Sequence, residues 1–293
     1  MHVFLTGATG WVGATVAAEL LAAGHQVSGL ARNPGKAQAL LNAGGNAVYG
    51  TLDDHQLLFD AAAKADAVIH TAFNHDFSRF ADNCAQDQHA IEVLGNALLG
   101  SERPLLVTSG FARLVQGRLA TEDDKPGTGP EYLRRSEQAA QTLAEKGVRT
   151  ASIRLAPTVH GIGDHGFVPN LIALAKKTGV AAWPGNGENR WAAVHRLDAA
   201  KVYRLALETG VTQPVYHAVA EEGIPMRDIA IAIGNMLGVP AESRDAEHFG
   251  WFATFAATEM AASSERTRKV LGWQPGQRDL LTDLADAAYY ANS

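Results

Sequence analysis

Between an apolar strand and an alanine-rich helix at the start of the chain stand Thr6-Gly7-Ala8-Thr9-Gly10-Trp11-Val12-Gly13, and their spaced glycines constrain the fold more than any other stretch. His2-Val3-Phe4-Leu5 before them is apolar and partly β-branched, and the helical pattern after them ends at Gly24. In such a turn Gly7 permits a tight reversal, Gly10 lets backbone N–H groups approach a pyrophosphate, and Gly13 allows the helix to pack close on the strand. The phosphates then sit on the helix N-terminus, where unpaired N–H groups and the macrodipole favour negative charge. A second strand, Gln26 to Ala31, follows at the distance expected of a β-α-β unit.

The rest of the chain repeats this alternation. Asn46 to Tyr49, Ala67 to Phe73, Pro104 to Thr108, Arg149 to Leu155 and Pro214 to Val219 read as further strands, with helical patterns between them. The implied fold class is α/β, a Rossmann-type doubly wound parallel sheet with a smaller C-terminal substrate lobe. We place the dinucleotide-binding core in residues 1–160 and the substrate lobe mainly in 161–293, interleaved with the last strand of the core.

Composition narrows the functional classes. A net charge of −6 with scattered basic residues argues against a nucleic-acid partner. No apolar run approaches the ~20 residues of a membrane helix, and the first residues already form a strand instead of a signal peptide. Cys84 is the only cysteine, so neither a disulfide framework nor a cysteine metal site is expected, and a reducing cytoplasm fits. None of the eleven histidines pairs at the i, i+4 spacing of helix-borne zinc sites, so no metal is expected. Without a Gly-x-Ser-x-Gly elbow, a hydrolase triad is not supported either.

The loop after the second strand, Arg32-Asn33-Pro34-Gly35-Lys36, bears on the cofactor. An acid near this strand end suits a ribose 2′-OH, whereas a basic residue suits a 2′-phosphate. No Asp or Glu stands between Gly24 and Lys36. Arg32 and Lys36 are either solvated loop charges or phosphate ligands, and their position in the unit favours NADP.

The Thr6 to Gly13 run resembles the cofactor turn of the extended and atypical branches of the short-chain dehydrogenase/reductase superfamily, the epimerase/dehydratase-like group, and later segments extend the likeness over nearly the whole chain. The resemblance implies cofactor contacts from Gly7, Thr9, Gly10, Trp11, Val12 and Gly13. It implies an adenine border at Leu52-Asp53, although Asp53 reads equally well as a helix N-cap. Thr71, Ala72 and Phe73 at the end of the fourth strand would lie beside the cofactor, where ligands of parallel sheets gather, with Phe73 a candidate pocket wall. Pro157, in the segment Arg154-Leu155-Ala156-Pro157-Thr158-Val159-His160-Gly161, which resembles a family turn, would lie beside the nicotinamide. Ser109 resembles the family serine that binds the substrate oxygen. The family pair Tyr-x-x-x-Lys appears as Tyr132-Leu133-Arg134-Arg135-Ser136, with serine at the lysine position. On a helix over residues 131–146, Arg135 shares a face with Tyr132 and would supply the missing charge; alternatively the pair has been lost. Phe111, His160, Phe167, Trp183 and Trp191 suggest a partly aromatic substrate pocket, with His160 reading also as a hydrogen-bonded, partly buried histidine. Asp198 and Trp273, in segments similar to the family's later motifs, read as structural.

The leading expectation is an NADP-dependent oxidoreductase reducing a small-molecule carbonyl, in which Ser109 orients the oxygen, Tyr132 donates the proton and Arg135 holds the charge. The rivals are a nucleotide-sugar epimerase or dehydratase that retains its cofactor, and a non-catalytic NADP-binding redox sensor. Composition leaves the oligomeric state open.

Overall fold

The computed structural model describes residues 1–112, 114–129 and 132–291. Arg113 and Glu131, the latter the first residue of the helix expected over 131–146, lie outside the described residues. Seven parallel strands form the central sheet: β1 His2–Thr6, β2 Gln26–Ala31, β3 Asn46–Tyr49, β4 Ala67–His70, β5 Leu105–Gly110, β6 Thr150–Leu155 and β10 Val215–Ala218. Their order is β10-β6-β5-β4-β1-β2-β3, so the strand order reverses between β1 and β4. Ligands of doubly wound sheets gather at that reversal, outside the carboxyl ends of the strands.

Both faces of the sheet are covered, and the strand period of two sorts side chains between them. Val3 and Leu5 of β1 pack into one core with Val16 and Leu20 of helix α1 (Trp11–Ala22). Phe4, between them, packs into the other core with Leu58 of α3 (His55–Ala63) and Ile91 of α4 (Phe80–Asn96). Helix α2 (Pro34–Asn42) follows β2, and α5 (Ser136–Glu145) lies beside α4.

Beyond β6, the strand β7 (Thr158–His160) pairs with β9 (Arg190–His195), which also pairs with β11 (Glu221–Pro225). A second small sheet joins β8 (Ala181–Pro184) to β12 (Ala241–Arg244). Helices α6 (Phe167–Thr178), α7 (Arg196–Glu208) and α8 (Met226–Leu237) complete the larger elements. Helix α7 packs on α1, which joins the C-terminal part to the cofactor-side helix. Asp198 is buried, and its carboxylate accepts from the backbone N–H groups of Gly276 and Gln277 while its carbonyl accepts from Trp273 Nε1. That binds the closing segment to α7. Among the described residues no helix is long and apolar enough to cross a membrane.

Two local expectations are corrected. Pro34, Gly35 and Lys36 are not loop but the first turn of α2, because Asn33 caps it by accepting from Lys36 N and Pro34 suits the N-terminal position. Helix α5 begins at Ser136, so Tyr132 lies in the loop before it and Arg135 is its N-cap. The two do not share a helical face.

Candidate functional site at the strand ends

The turn after β1 has the geometry its glycines imply. Gly7 has φ +72°, and a Cβ there would lie 2.7 Å from Ala72 N. A Cβ on Gly13 would sit 2.1 Å from the Gly7 carbonyl oxygen, which shows how closely α1 abuts the turn. Gly10 is different: its nearest neighbour would be 3.3 Å away, so one side stays open. Gly10 is also the N-cap of α1 and supplies no side-chain cap, leaving the first N–H groups of the helix for a ligand. A cradle without side chains, at a helix N-terminus and a strand reversal, fits a dinucleotide pyrophosphate. Trp11 lends only its backbone here, since its indole Nε1 donates to Val159 O and Arg196 lies 4.3 Å over its ring. Thr9 is half-buried beside Gly10, and Val12 packs against the core.

Thr71 Oγ1 donates to Thr6 O, fixing the loop after β4 against the glycine turn. Thr71, Ala72 and Phe73 therefore border the cradle, and Pro157 stands in the short step from β6 to β7. Arg32 follows β2 directly; it and Lys36 are exposed and form no ion pair with a described residue. Leu52 is half-buried. Asp53 is not the cap of α3, which is Asp54; Asp53 instead accepts from Gln86 of α4.

Beneath the cradle runs a buried polar chain. Thr6 Oγ1 meets His70 Nδ1 at 2.8 Å, His70 Nε2 meets Asp87 Oδ1 at 3.1 Å, and Ser136 Oγ donates to Asp87 Oδ2 at 2.5 Å. Arg134 Nε donates to Ser136 Oγ, Arg134 Nη2 donates to the carbonyl of Thr108 in β5, and the guanidinium lies 4.3 Å over the Phe73 ring. Burial favours the neutral acid at Asp87, but the hydrogen bond to His70 and the Arg134 charge outweigh it and hold this carboxyl below its usual range. Arg134 Nη1 has no hydrogen-bond partner among the described residues, so donors of a fixed cation remain available at the ends of β4 and β5.

Arg134, not Arg135, is thus the cation at the strand ends. Arg135 is exposed and lines a surface groove with Gln88, Glu92 and Thr128. Ser109, in β5, donates to Glu137 Oε1 at 2.6 Å. Glu137 is gripped through both oxygens by the buried Arg154 of β6, whose Nη1 reaches His217 Nε2 at 3.1 Å. The residue of α5 that reaches the serine is therefore Glu137, one position beyond the serine that stands at the family's lysine position. Tyr132 is half-buried over Gly127, and its hydroxyl has no hydrogen-bond partner among the described residues.

Of the aromatic candidates, Phe167 and Trp191 come together with ring centroids 6.4 Å apart. The others do not join them. Phe111 is buried edge-on against His217, and Trp183 flanks Gly187 beside Arg227. His160 is fully buried, with Nδ1 2.7 Å from Asp283 and Nε2 3.6 Å from Glu221. Burial lowers its pKa, but the two acids outweigh that and raise it, making His160 an anchor of the C-terminal segment and not a pocket wall. Sequence reasoning missed Phe77, Phe80, Trp251, Phe252 and Phe255, which continue the aromatic cluster. The close spacing of Trp251, Phe252 and Phe255 was their one visible signal.

A parallel sheet with a bare glycine cradle at its reversal defines a dinucleotide-binding α/β protein. Residues 7–161, more than half of the chain, match the family model described as NAD(P)H-binding. An uncharacterized protein of Schizosaccharomyces pombe is 46% identical over 99% of this chain and 100% of its own length. The decarboxylating sterol-4-alpha-carboxylate 3-dehydrogenase of Dictyostelium discoideum is 28% identical over 77% of this chain and 73% of its own. In fold, the chain matches the dTDP-glucose 4,6-dehydratase DesIV of Streptomyces venezuelae, solved with NAD, at a TM-score of 0.79 and 17% identity, over 99% of this chain and 96% of that one. The protein belongs to the NAD(P)H-binding family.

Proposed function

We propose that this protein is an NADP-dependent oxidoreductase that reduces a ketone or aldehyde. The observation that carries the reading is Arg134, a cation locked by Ser136 and Thr108 at the ends of β4 and β5, with donors left over. When bound, reduced NADP supplies the hydride that converts the carbonyl to an alcohol. Negative charge then grows on the former carbonyl oxygen, and a preorganised guanidinium stabilises it without reorganising. Arginine stays protonated, so the proton that completes the alcohol comes from another group. Tyr132 carries the free hydroxyl in this reading. Ser109, whose own hydrogen is held by Glu137, orients the oxygen by accepting from the alcohol as it forms.

The preference for NADP rests on Arg32. The 2′-phosphate carries roughly −1.5 to −2 charges at neutral pH, and the guanidinium offers it paired donors. Hydrogen bonds to charged groups contribute about 1.5–3 kcal/mol, so one Arg32 contact predicts about ten- to a hundredfold tighter NADPH than NADH. Calorimetric titration of both coenzymes into wild type and Arg32→Ala tests this. Equal affinities in wild type, or an undiminished preference in the variant, would refute it.

A further inference from the structure

Resting on the reductase reading, we infer that the substrate is a flat, uncharged ketone with an aromatic or polycyclic body. The ring under Arg134 is the first of a continuous series. Phe73 lies 6.1 Å from Phe80, Phe80 stacks on Phe77 at 6.0 Å, and Phe77 stacks on Trp251 at 5.6 Å with ring planes 26° apart. Phe77 also meets Phe167, which leads to the buried Trp191. The series therefore starts at the cation that would hold the reacting oxygen and ends at solvent. Trp251 is 67% exposed and Phe77 41%, an arrangement that leaves two large stacked rings wet without a ligand. Rings stack on planar apolar faces, so the body of the ligand is flat.

Charge points the same way. Away from Arg134, the arginines next in sequence to rings of this wall are already paired: Arg79 with Asp82 at 3.1 Å, and Arg190 with Glu259 at 2.9 Å. A nucleotide diphosphate would need free cations there.

The test compares 2-acetylnaphthalene, acetone and dTDP-glucose. Binding to the NADP⁺-loaded protein, where no reduction occurs, is read by equilibrium dialysis, and NADPH consumption is followed separately. The expected result is binding of 2-acetylnaphthalene at least about tenfold tighter than either competitor, and about tenfold weakened by Trp251→Ala or Phe77→Ala. Trp251 is the more exposed of the two, so in Trp251→Ala the melting temperature and the NADPH Kd should stay at wild-type values. Tighter binding of dTDP-glucose or acetone, or variants that bind 2-acetylnaphthalene like wild type, would overturn the inference. So would a Trp251→Ala protein that turns from dimer to monomer with its ligand affinity intact, since the rings would then be an interface between copies. Binding of the naphthyl ketone that depends on Trp251 but is never followed by NADPH consumption would sustain this inference while refuting the reductase reading.

Discussion

Replacing Gly10 and Gly13 separately with alanine should divide ligand binding from folding, although the two residues are three positions apart in one turn. Gly10 has φ −89° and ψ 176°, a region any L-residue adopts, and an added methyl would touch only the Gly7 carbonyl oxygen, at 3.3 Å. Gly10→Ala should therefore fold like wild type. The methyl would, however, stand where a phosphate oxygen must approach the helix N–H groups, and losing one such charged hydrogen bond costs about 1.5–3 kcal/mol. NADPH should bind about ten- to a hundredfold more weakly. In Gly13→Ala the new methyl would lie 2.1 Å from the Gly7 carbonyl oxygen and 2.6 Å from Thr71 Oγ1. Relief requires the turn and α1 to separate by roughly 1 Å, and overpacking of this kind typically costs ~1–3 kcal/mol or more. Thermal melts should fall by on the order of 5–10 °C, with NADPH binding lost as well. Melts and NADPH titrations of both variants check this. A Gly10→Ala protein with wild-type affinity, or a Gly13→Ala protein with a wild-type melt, would refute the reasoning.

Burial holds His217 down at about 4, with Ser263 O accepting from Nδ1 and Arg154 facing Nε2. Between pH 6.5 and 4 the unfolded chain takes up a proton that the folded chain refuses, so stability should drop across that window by up to about 3 kcal/mol; urea melts should show a shallower decline for His217→Gln. Arg154→Met strands Glu137 at a buried site and should cost about 3–5 kcal/mol, much of it recovered in the Arg154→Met/Glu137→Met double variant; a double variant no more stable than the single one would contradict this.

The sheet was legible because its central strands are apolar runs buried on both faces, and the cradle because glycine is demanded by space that only the backbone can occupy. Helix α2 carried its own signal in Asn33-Pro34, which the emphasis on loop charge overrode. The start of α5 was not legible. Tyr132 to Arg135 are compatible with helix locally, but Arg134 is held out of it by bonds to Thr108 and Ser136, and the Thr108 contact comes from a distant strand. The same holds for the aromatic wall, whose halves at Phe77 and Trp251 meet only in the folded chain. For His160 the sequence leaves the pocket and the buried-histidine readings open, because the partner that decides between them, Asp283, lies far along the chain.

The most direct measurement is NADPH absorbance loss on adding a panel of ketones and aldehydes to wild type, Arg134→Ala and Arg135→Ala. The account predicts turnover by wild type, a fall of about 10²–10³-fold in kcat for Arg134→Ala with the NADPH Kd preserved, and little change for Arg135→Ala, which is exposed at the helix cap. No NADPH consumption with any carbonyl, or an Arg134→Ala protein with wild-type kcat, would contradict it.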